Sequence, residues 1–408
     1  VVTYSDGKDP AQQFNMFVNG EVTSTTVNQS LPEVVAKAAE LYPDNQYKSM
    51  TTATSYWGAF NWDRQMYALY NDPSVSTTSK TDAQKADTKA AILNADFRRA
   101  VYAAYSAHAV EAITLGEEHA DGVIRNTLIP YTFQTTSDGR AYGSIVEKYA
   151  AELVADYEGI DLNDGHDAWY NPELAKTFAE RAKEELGDSV SEWPIHIDVP
   201  VYAASENQKN MQLAMKKSVE DAIGDYVVID LQFLEGNSSV YYSSFYNQPT
   251  GEDNSIDLVF GAGWGPDYGD PLTYLHCFDV HDGDMLNYSG INIESQGQSE
   301  EQKAVLETLG LNEVQEIVDQ ATTATGDERI ELFAKAEAML LTNGILRPYS
   351  TSGANITISK VKPFTVAYGL YGQAAYNQVP YFKYMQLLDE PVTAAEYEAA
   401  KEAWMAGK

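Results

Sequence analysis

Cysteine is almost absent: Cys277 stands alone among 408 residues. No disulfide can form within the chain, which fits a reducing compartment or a secreted protein large enough not to need one. Positive charge is scarce too. There are 27 Lys and Arg against 60 Asp and Glu, a formal net charge of −33. Such a surface repels phosphate backbones, which excludes nucleic acid as a partner, and it offers no polybasic patch for a membrane. No apolar run approaches the ~20 residues that span a bilayer. Catalytic signatures are also missing. There is no Gly-x-Ser-x-Gly elbow, no phosphate-binding loop and no His-Glu-x-x-His. With 60 acids, pairs of carboxylates arise by chance and do not point to glycoside hydrolysis.

What is present is ordinary globular composition, 44% hydrophobic and 21% charged, in a length that suggests two or three domains. Tyrosine is abundant, at 28 residues, and its ring packs while its hydroxyl stays wet. Val1 to Ser5 reads as a strand already under way, with neither an initiator Met nor a signal segment before it. Ser30-Leu31-Pro32-Glu33 has the form of a capping box opening a helix. A strand is expected from about Met50 to Phe60, an exposed excursion over 71–90, and one long helix from Asn94 through Ile113. Loops with short helices are expected over 116–172. Ile195, Ile197, Val199 and Val201 alternate with polar residues or Pro, and Val227, Ile229, Leu231 and Phe233 do the same. Between them Ser205 to Gln208 forms a capping box, and Met211, Met215, Val219 and Ala222 recur at helical spacing. That is a βαβ unit, a parallel pair with a right-handed crossover. Thr325 to Glu328 predicts a third box, opening a helix that ends at Asn343-Gly344. Strands and turns follow over 345–388, then a terminal helix from Thr393.

Two segments carry residue types suited to chemistry. His276-Cys277-Phe278-Asp279-Val280-His281-Asp282-Gly283-Asp284 has metal-ligating side chains, but its spacing matches no finger or calcium loop. It is expected to be a solvated acidic loop without metal, with Cys277 a free thiol. The second segment is Gly263-Trp264-Gly265-Pro266-Asp267-Tyr268-Gly269-Asp270-Pro271. It leaves the buried strand Ile256 to Phe260 and presents a Trp, a Tyr and a carboxylate on a turn of glycines and prolines. Ligands commonly sit at such strand ends. The same residues also suit a Trp that plugs the domain edge while Asp267 caps the next turn.

The pattern Gly-Trp-Gly-Pro-Asp-Tyr-x-Asp-Pro resembles the hallmark of the extracellular solute-binding proteins that feed oligopeptide ABC importers. Asn61-Trp62-Asp63-Arg64-Gln65, the helix start Asn94 to Ala100, Arg125-Asn126-Thr127 with Pro130, and Val361-Lys362-Pro363-Phe364 resemble further segments of that family in order. The likeness is greatest to the oligopeptide-binding lipoproteins of Gram-positive bacteria, roughly their C-terminal two-thirds. It implies an α/β, periplasmic-binding-protein-like two-lobed fold of the large cluster C type. Residues 1–57 and 363–408 would be parts of an incomplete first lobe, and 58–362 a complete α/β ligand-binding lobe, the family's third domain. The implied function is capture of extracellular oligopeptides for uptake through an ABC permease in the membrane. The protein would be a monomer without catalytic residues, cofactor or metal. It would sit on the outer face of the cell membrane, lipid-anchored in the full-length protein by a segment this chain does not contain.

A sequence-tolerant peptide binder must recognise the backbone and the charged N-terminus that all peptides share. In the resemblance, Asp267 takes the peptide α-ammonium and Trp264 walls the pocket. Gly263 lies at the pocket, Tyr268 at its rim, and Asn61 on the facing side. Phe260-Gly261-Ala262 offers no basic residue for a peptide carboxylate. Two alternatives remain at this point: a solute-binding protein for another ligand, such as an oligosaccharide, haem or nickel, and an extracellular glycosidase.

Overall fold

The computed structural model describes residues 10–365 and 384–407; the strand expected over Val1–Ser5 lies outside them, as does part of the 345–388 segment. No described helix is long and apolar enough to cross a membrane.

The βαβ unit forms as the alternation dictates. Strand Ile195–Tyr202 pairs in parallel with Val227–Leu234, in continuous register from Ile195↔Val227 to Tyr202↔Leu234. Helix Glu206–Ile223 crosses between them, and Ser205 Oγ accepts from the Gln208 N–H at 3.3 Å. Ile195, Ile197, Val199 and Val201 are all buried, together with Val227 and Ile229. Beside this pair lies an antiparallel sheet of three strands. The central strand Ser55–Phe60 pairs on one side with Leu346–Ser350 and on the other with Leu258–Trp264, the strand that carries the glycine-tryptophan motif. Trp57 pairs with Ala262 but Gly58 with Phe260, so Gly261 is bulged out of the ladder, with φ +153°. The motif strand is an edge strand of this sheet.

A small region is built separately from the two ends of the described chain. Strands Ser24–Thr26, Ile356–Ser359 and Tyr47–Lys48 form a sheet in that order. Phe14, Phe17, Val27, Val34, Ala38 and Ile358 make a core of their own. Helix Ala394–Ala406 opens on a full Thr393/Glu396 capping box and docks by stacking Tyr397 on Tyr47, ring centroids 4.0 Å apart. Residues 49–54 and 351–355 run side by side between this region and the main core, joined by Ser49 N–H to Asn355 O (2.9 Å) and Thr52 N–H to Ser352 O (2.8 Å). Arg125 clamps the first of these segments by donating to Thr52 O and Thr54 O, both at 3.1 Å.

Several local expectations need correction. The long helix is two, Ala95–Ala104 and Ala107–Leu115, because the chain turns at Tyr105 and Ser106 caps the second one. The 71–90 excursion contains helix Asp82–Leu93, capped by Thr81 and Gln84, and it buries Lys80, Asp87 and Thr88. Ser30 does not cap its helix: its hydroxyl bonds Asn28 Oδ1 at 2.6 Å, and Leu31 is the N-cap. Thr325 precedes helix Gly326–Thr342 without a side-chain cap bond. The His276–Asp284 loop is only half solvated, since Cys277, Phe278 and Val280 are buried and Phe278 packs on Trp57 at 5.9 Å.

Candidate functional site

At the end of the motif strand the chain encloses a cavity of about 840 Å³. Trp57 and Tyr56 enter it from the central strand, and Gly263, Trp264 and Asp267 from the motif strand and its turn. Tyr242 and Tyr246 close another side, from the aromatic run that begins at Val240-Tyr241-Tyr242. Trp264 is fixed by an edge-on contact with His276, 5.2 Å between centroids, and His276 Nδ1 lies 3.0 Å from Leu272 O.

The motif turn sorts its carboxylates. Asp270 does the structural work: it accepts from the Leu272 N–H at 3.0 Å and holds Arg329 through both oxygens, at 2.8 and 3.0 Å. The Asp267 N–H donates to Thr273 Oγ1 at 2.8 Å. Its carboxylate is exposed on the cavity wall, with no hydrogen bond or ion pair to any described residue. The capping role that sequence allowed for Asp267 therefore falls to Asp270. Asp284 is the other charged group on this wall, and among the described residues no Lys, Arg or His lines it. Four polar atoms of lining residues lack partners among the described residues: the indole N–H groups of Trp57 and Trp264, Gln248 Oε1 and Asn287 Oδ1. Cys277 is a free, buried thiol on the same wall, and burial together with the field of Asp284 and Asp267 pushes its pKa well up. It is an unreactive wall group in this setting.

Two expected site residues are not part of the cavity wall. Tyr268 is 44% exposed and outside the cavity. Asn61 is buried, with Nδ2 donating to Asn254 O at 3.2 Å and Oδ1 accepting from the Asp63 N–H. Antiparallel register explains its position. Asn61 follows Phe60, which pairs with Leu258 at the start of the motif strand, whereas the cavity takes its lining from Trp57 and Ala262 toward the Trp264 end, so its nearest lining residue on this strand is roughly 13 Å from Asn61. The start of that strand carries a different feature. Arg64 Nη1 lies 2.7 Å from Asp198 and 2.8 Å from Asp257, while Lys80 is 3.2 Å from Asp198 and also contacts Asp257. All four groups are buried. No group of three or more His, Cys, Asp or Glu among the described residues is arranged to hold a metal ion.

No family model matches the chain. Its fold is that of the substrate-binding proteins of peptide ABC transporters. It aligns with the substrate-binding domain of an oligopeptide ABC transporter from Bacillus anthracis at TM-score 0.59 and 18% identity, covering 95% of this chain and 58% of that one. It aligns with peptide-bound OppA of Listeria monocytogenes at TM-score 0.57 and 15% identity, covering 93% and 56%. In sequence it is similar over its whole length to named oligopeptide-binding proteins of Streptococcus. Identity is 33% to AliB of Streptococcus pneumoniae over 412 residues, which is 100% of this chain and 60% of AliB. It is 30% to SarA of Streptococcus gordonii over 407 residues, 99% of this chain and 58% of SarA. The chain thus spans about 60% of the length of the curated relatives it matches.

Proposed function

We propose that this chain holds peptides for a substrate-binding component of an ABC importer. The observation that carries the reading is Asp267: a carboxylate with no partner in the described chain, beside Trp264, at the end of an edge strand. A peptide added along that edge finds backbone groups to pair with, and its α-ammonium finds the carboxylate. The bulge at Gly261 supports this, because it leaves a backbone unit outside the ladder where a ligand can approach. The aromatic walls give contact area without demanding one side-chain sequence.

In this reading residues 55–350 are the ligand-binding lobe, and the small region made from the ends, which takes Ile356–Ser359 out of the expected 58–362, belongs to the other lobe. The two segments running side by side at 49–54 and 351–355 are then the hinge about which ligand draws the lobes together. A membrane permease would read the closed form. The protein acts outside the cell, anchored to the membrane by lipid, as a monomer and without chemistry of its own. The test is calorimetric titration with a mixed peptide pool and, separately, with cello-oligosaccharides, each followed by analysis for hydrolysis products. Saturable binding of peptides alone, recovered intact, supports the proposal; binding of sugars alone, or cleavage of either, overturns it.

A further inference from the structure

The cavity has a second pole, built on elements other than the motif turn. Helix Asp284–Tyr288 forms part of its wall, and the first and last residues of that helix, four apart, stand side by side on one face. Tyr246 meets Tyr288 edge-on, centroids 5.7 Å apart, and Tyr242 meets Tyr246 in the same way at 5.9 Å. The Tyr246 N–H donates to Tyr242 O at 2.8 Å, so these two rings are one helical turn apart. Gln248 ties the tyrosine segment to the helix by donating to Asn287 O at 2.9 Å. Asp284 thus continues a row of three tyrosine rings that all line the cavity.

Two independent features of this pole point to a cation. The first is the open aromatic surface. Tyr242 and Tyr246 are 42% and 56% exposed, so a ligand can reach their rings, and an aromatic face attracts an ammonium or a guanidinium. The second is the carboxylate balance. Asp284 is exposed and has no hydrogen-bond or ion-pair partner among the described residues. Asp267 and Asp284 both act on the Cys277 thiol, which places the two carboxylates within reach of one wall residue. The α-ammonium of a peptide neutralises one of them. A peptide with no other positive charge would strip water from the second and leave it without a partner. An acidic side chain would be repelled by both.

We infer that this pole is a subsite for a basic side chain of the bound peptide, arginine or lysine, with its cation against the Asp284 carboxylate and its stem along the Tyr242 and Tyr246 rings. The inference rests on the peptide-binding reading above and adds a side-chain preference to it. Arginine gains more than lysine, because a planar guanidinium stacks on a ring and meets a carboxylate through two N–H groups.

Calorimetry on the full chain tests this with tetra-alanine and its single-Arg, single-Lys, single-norleucine and single-Glu replacements at each position. Norleucine keeps the lysine stem and removes the charge. At one position Arg and Lys should bind about 10-fold more tightly than norleucine, and Glu more weakly than alanine. Asp284→Asn should bring Arg within about 2-fold of norleucine, and Tyr246→Leu should cut the Arg advantage by about 3-fold. Asp267→Asn should weaken the Arg and norleucine peptides by a common factor and keep their ratio. Unchanged thermal unfolding of the three variants shows that the fold is intact. Equal binding of Arg and norleucine at every position, Glu binding as tightly as Arg, an advantage that survives Asp284→Asn or Tyr246→Leu, or one that Asp267→Asn abolishes would overturn the subsite while leaving peptide binding in place. If neither tetra-alanine nor any replacement binds, the peptide-binding reading itself falls, and the subsite with it.

Discussion

Asp267 and Asp284 differ from Asp270 in the motif in having no hydrogen-bond or ion-pair partner among the described residues. Asp270 is committed to Arg329 and a helix start, while the Asp267 carboxylate faces the cavity beside an indole N–H that also lacks a partner. A fold with 60 acidic residues and 27 basic ones has few cations to spare, so an unpaired carboxylate on the surface is ordinary. One on a concave aromatic wall is not, because the wall strengthens whatever electrostatic contact a ligand makes there. Asp267→Asn keeps the shape and removes the charge. It should weaken binding of free-amine peptides by about 10–100-fold, and N-acetylation of the peptide should cost wild type a similar factor. The two changes remove one interaction, so together they should cost little more than either alone. Calorimetry of the double cycle decides the matter: independent, additive losses would put the α-ammonium elsewhere.

At the scale of elements, the βαβ unit was legible because its signals are local: period-2 alternation, a Ser at the helix start, apolar residues at helical spacing. The motif was legible because glycines and prolines at a strand end leave few conformations. Segments stabilised from far away were not legible. Lys80 sits among Ser, Thr and Asp and reads as exposed, yet its partners Asp198 and Asp257 are more than 100 residues distant. The resemblance implies Asn61 on the facing side, and only the pairing register shows which end of its strand meets the cavity. The aromatic wall of Tyr242 and Tyr246 showed in the sequence only as a surplus of tyrosine. The close packing of strand on strand supplies a test. A Cβ at Gly263 would lie 2.5 Å from Tyr56 Cδ1, and Tyr56 is tethered by its hydroxyl to Ser352 Oγ at 3.0 Å. Gly263→Ala should therefore displace a wall residue of the cavity and lower ligand affinity by about 10-fold. Tyr56→Ala added to it should restore part of the loss, whereas no coupling between the two would show that the ring had room to move. The buried ion cluster makes a second. Arg64→Met leaves Asp198 and Asp257 with Lys80 alone and should destabilise the fold by about 3–5 kcal/mol in denaturant unfolding; a loss below ~1 kcal/mol would mean that water reaches the cluster.

For the molecule as a whole, the acids that matter to stability are the few that folding buries. Glu337 lies fully inside, accepting from the Leu128 N–H at 2.6 Å, the Ile129 N–H at 3.4 Å and the Tyr142 hydroxyl at 3.0 Å, with no ion-pair partner among the described residues. Burial pushes its pKa up to about 8, against the pull of those hydrogen bonds. Glu111, likewise buried, is raised to about 7 for the same reason. In the unfolded chain both titrate at the ordinary glutamate value of about 4.3. Between the two values the folded state binds more protons than the unfolded one, so this contribution to stability is complete below about pH 4 and is lost as pH rises through 7 and 8. Glu337→Gln removes the titration yet fits the same partners. Its amide oxygen accepts from Leu128, and its amide nitrogen donates to the Tyr142 hydroxyl. The variant should gain about 3–4 kcal/mol of stability relative to wild type between pH 5 and pH 8. Urea unfolding of the two proteins across that range measures the difference directly, because the titration of every surface acid is common to both and cancels. A gap that stays constant with pH would show that Glu337 is already ionised in the folded protein, and that its three-point site holds a charge.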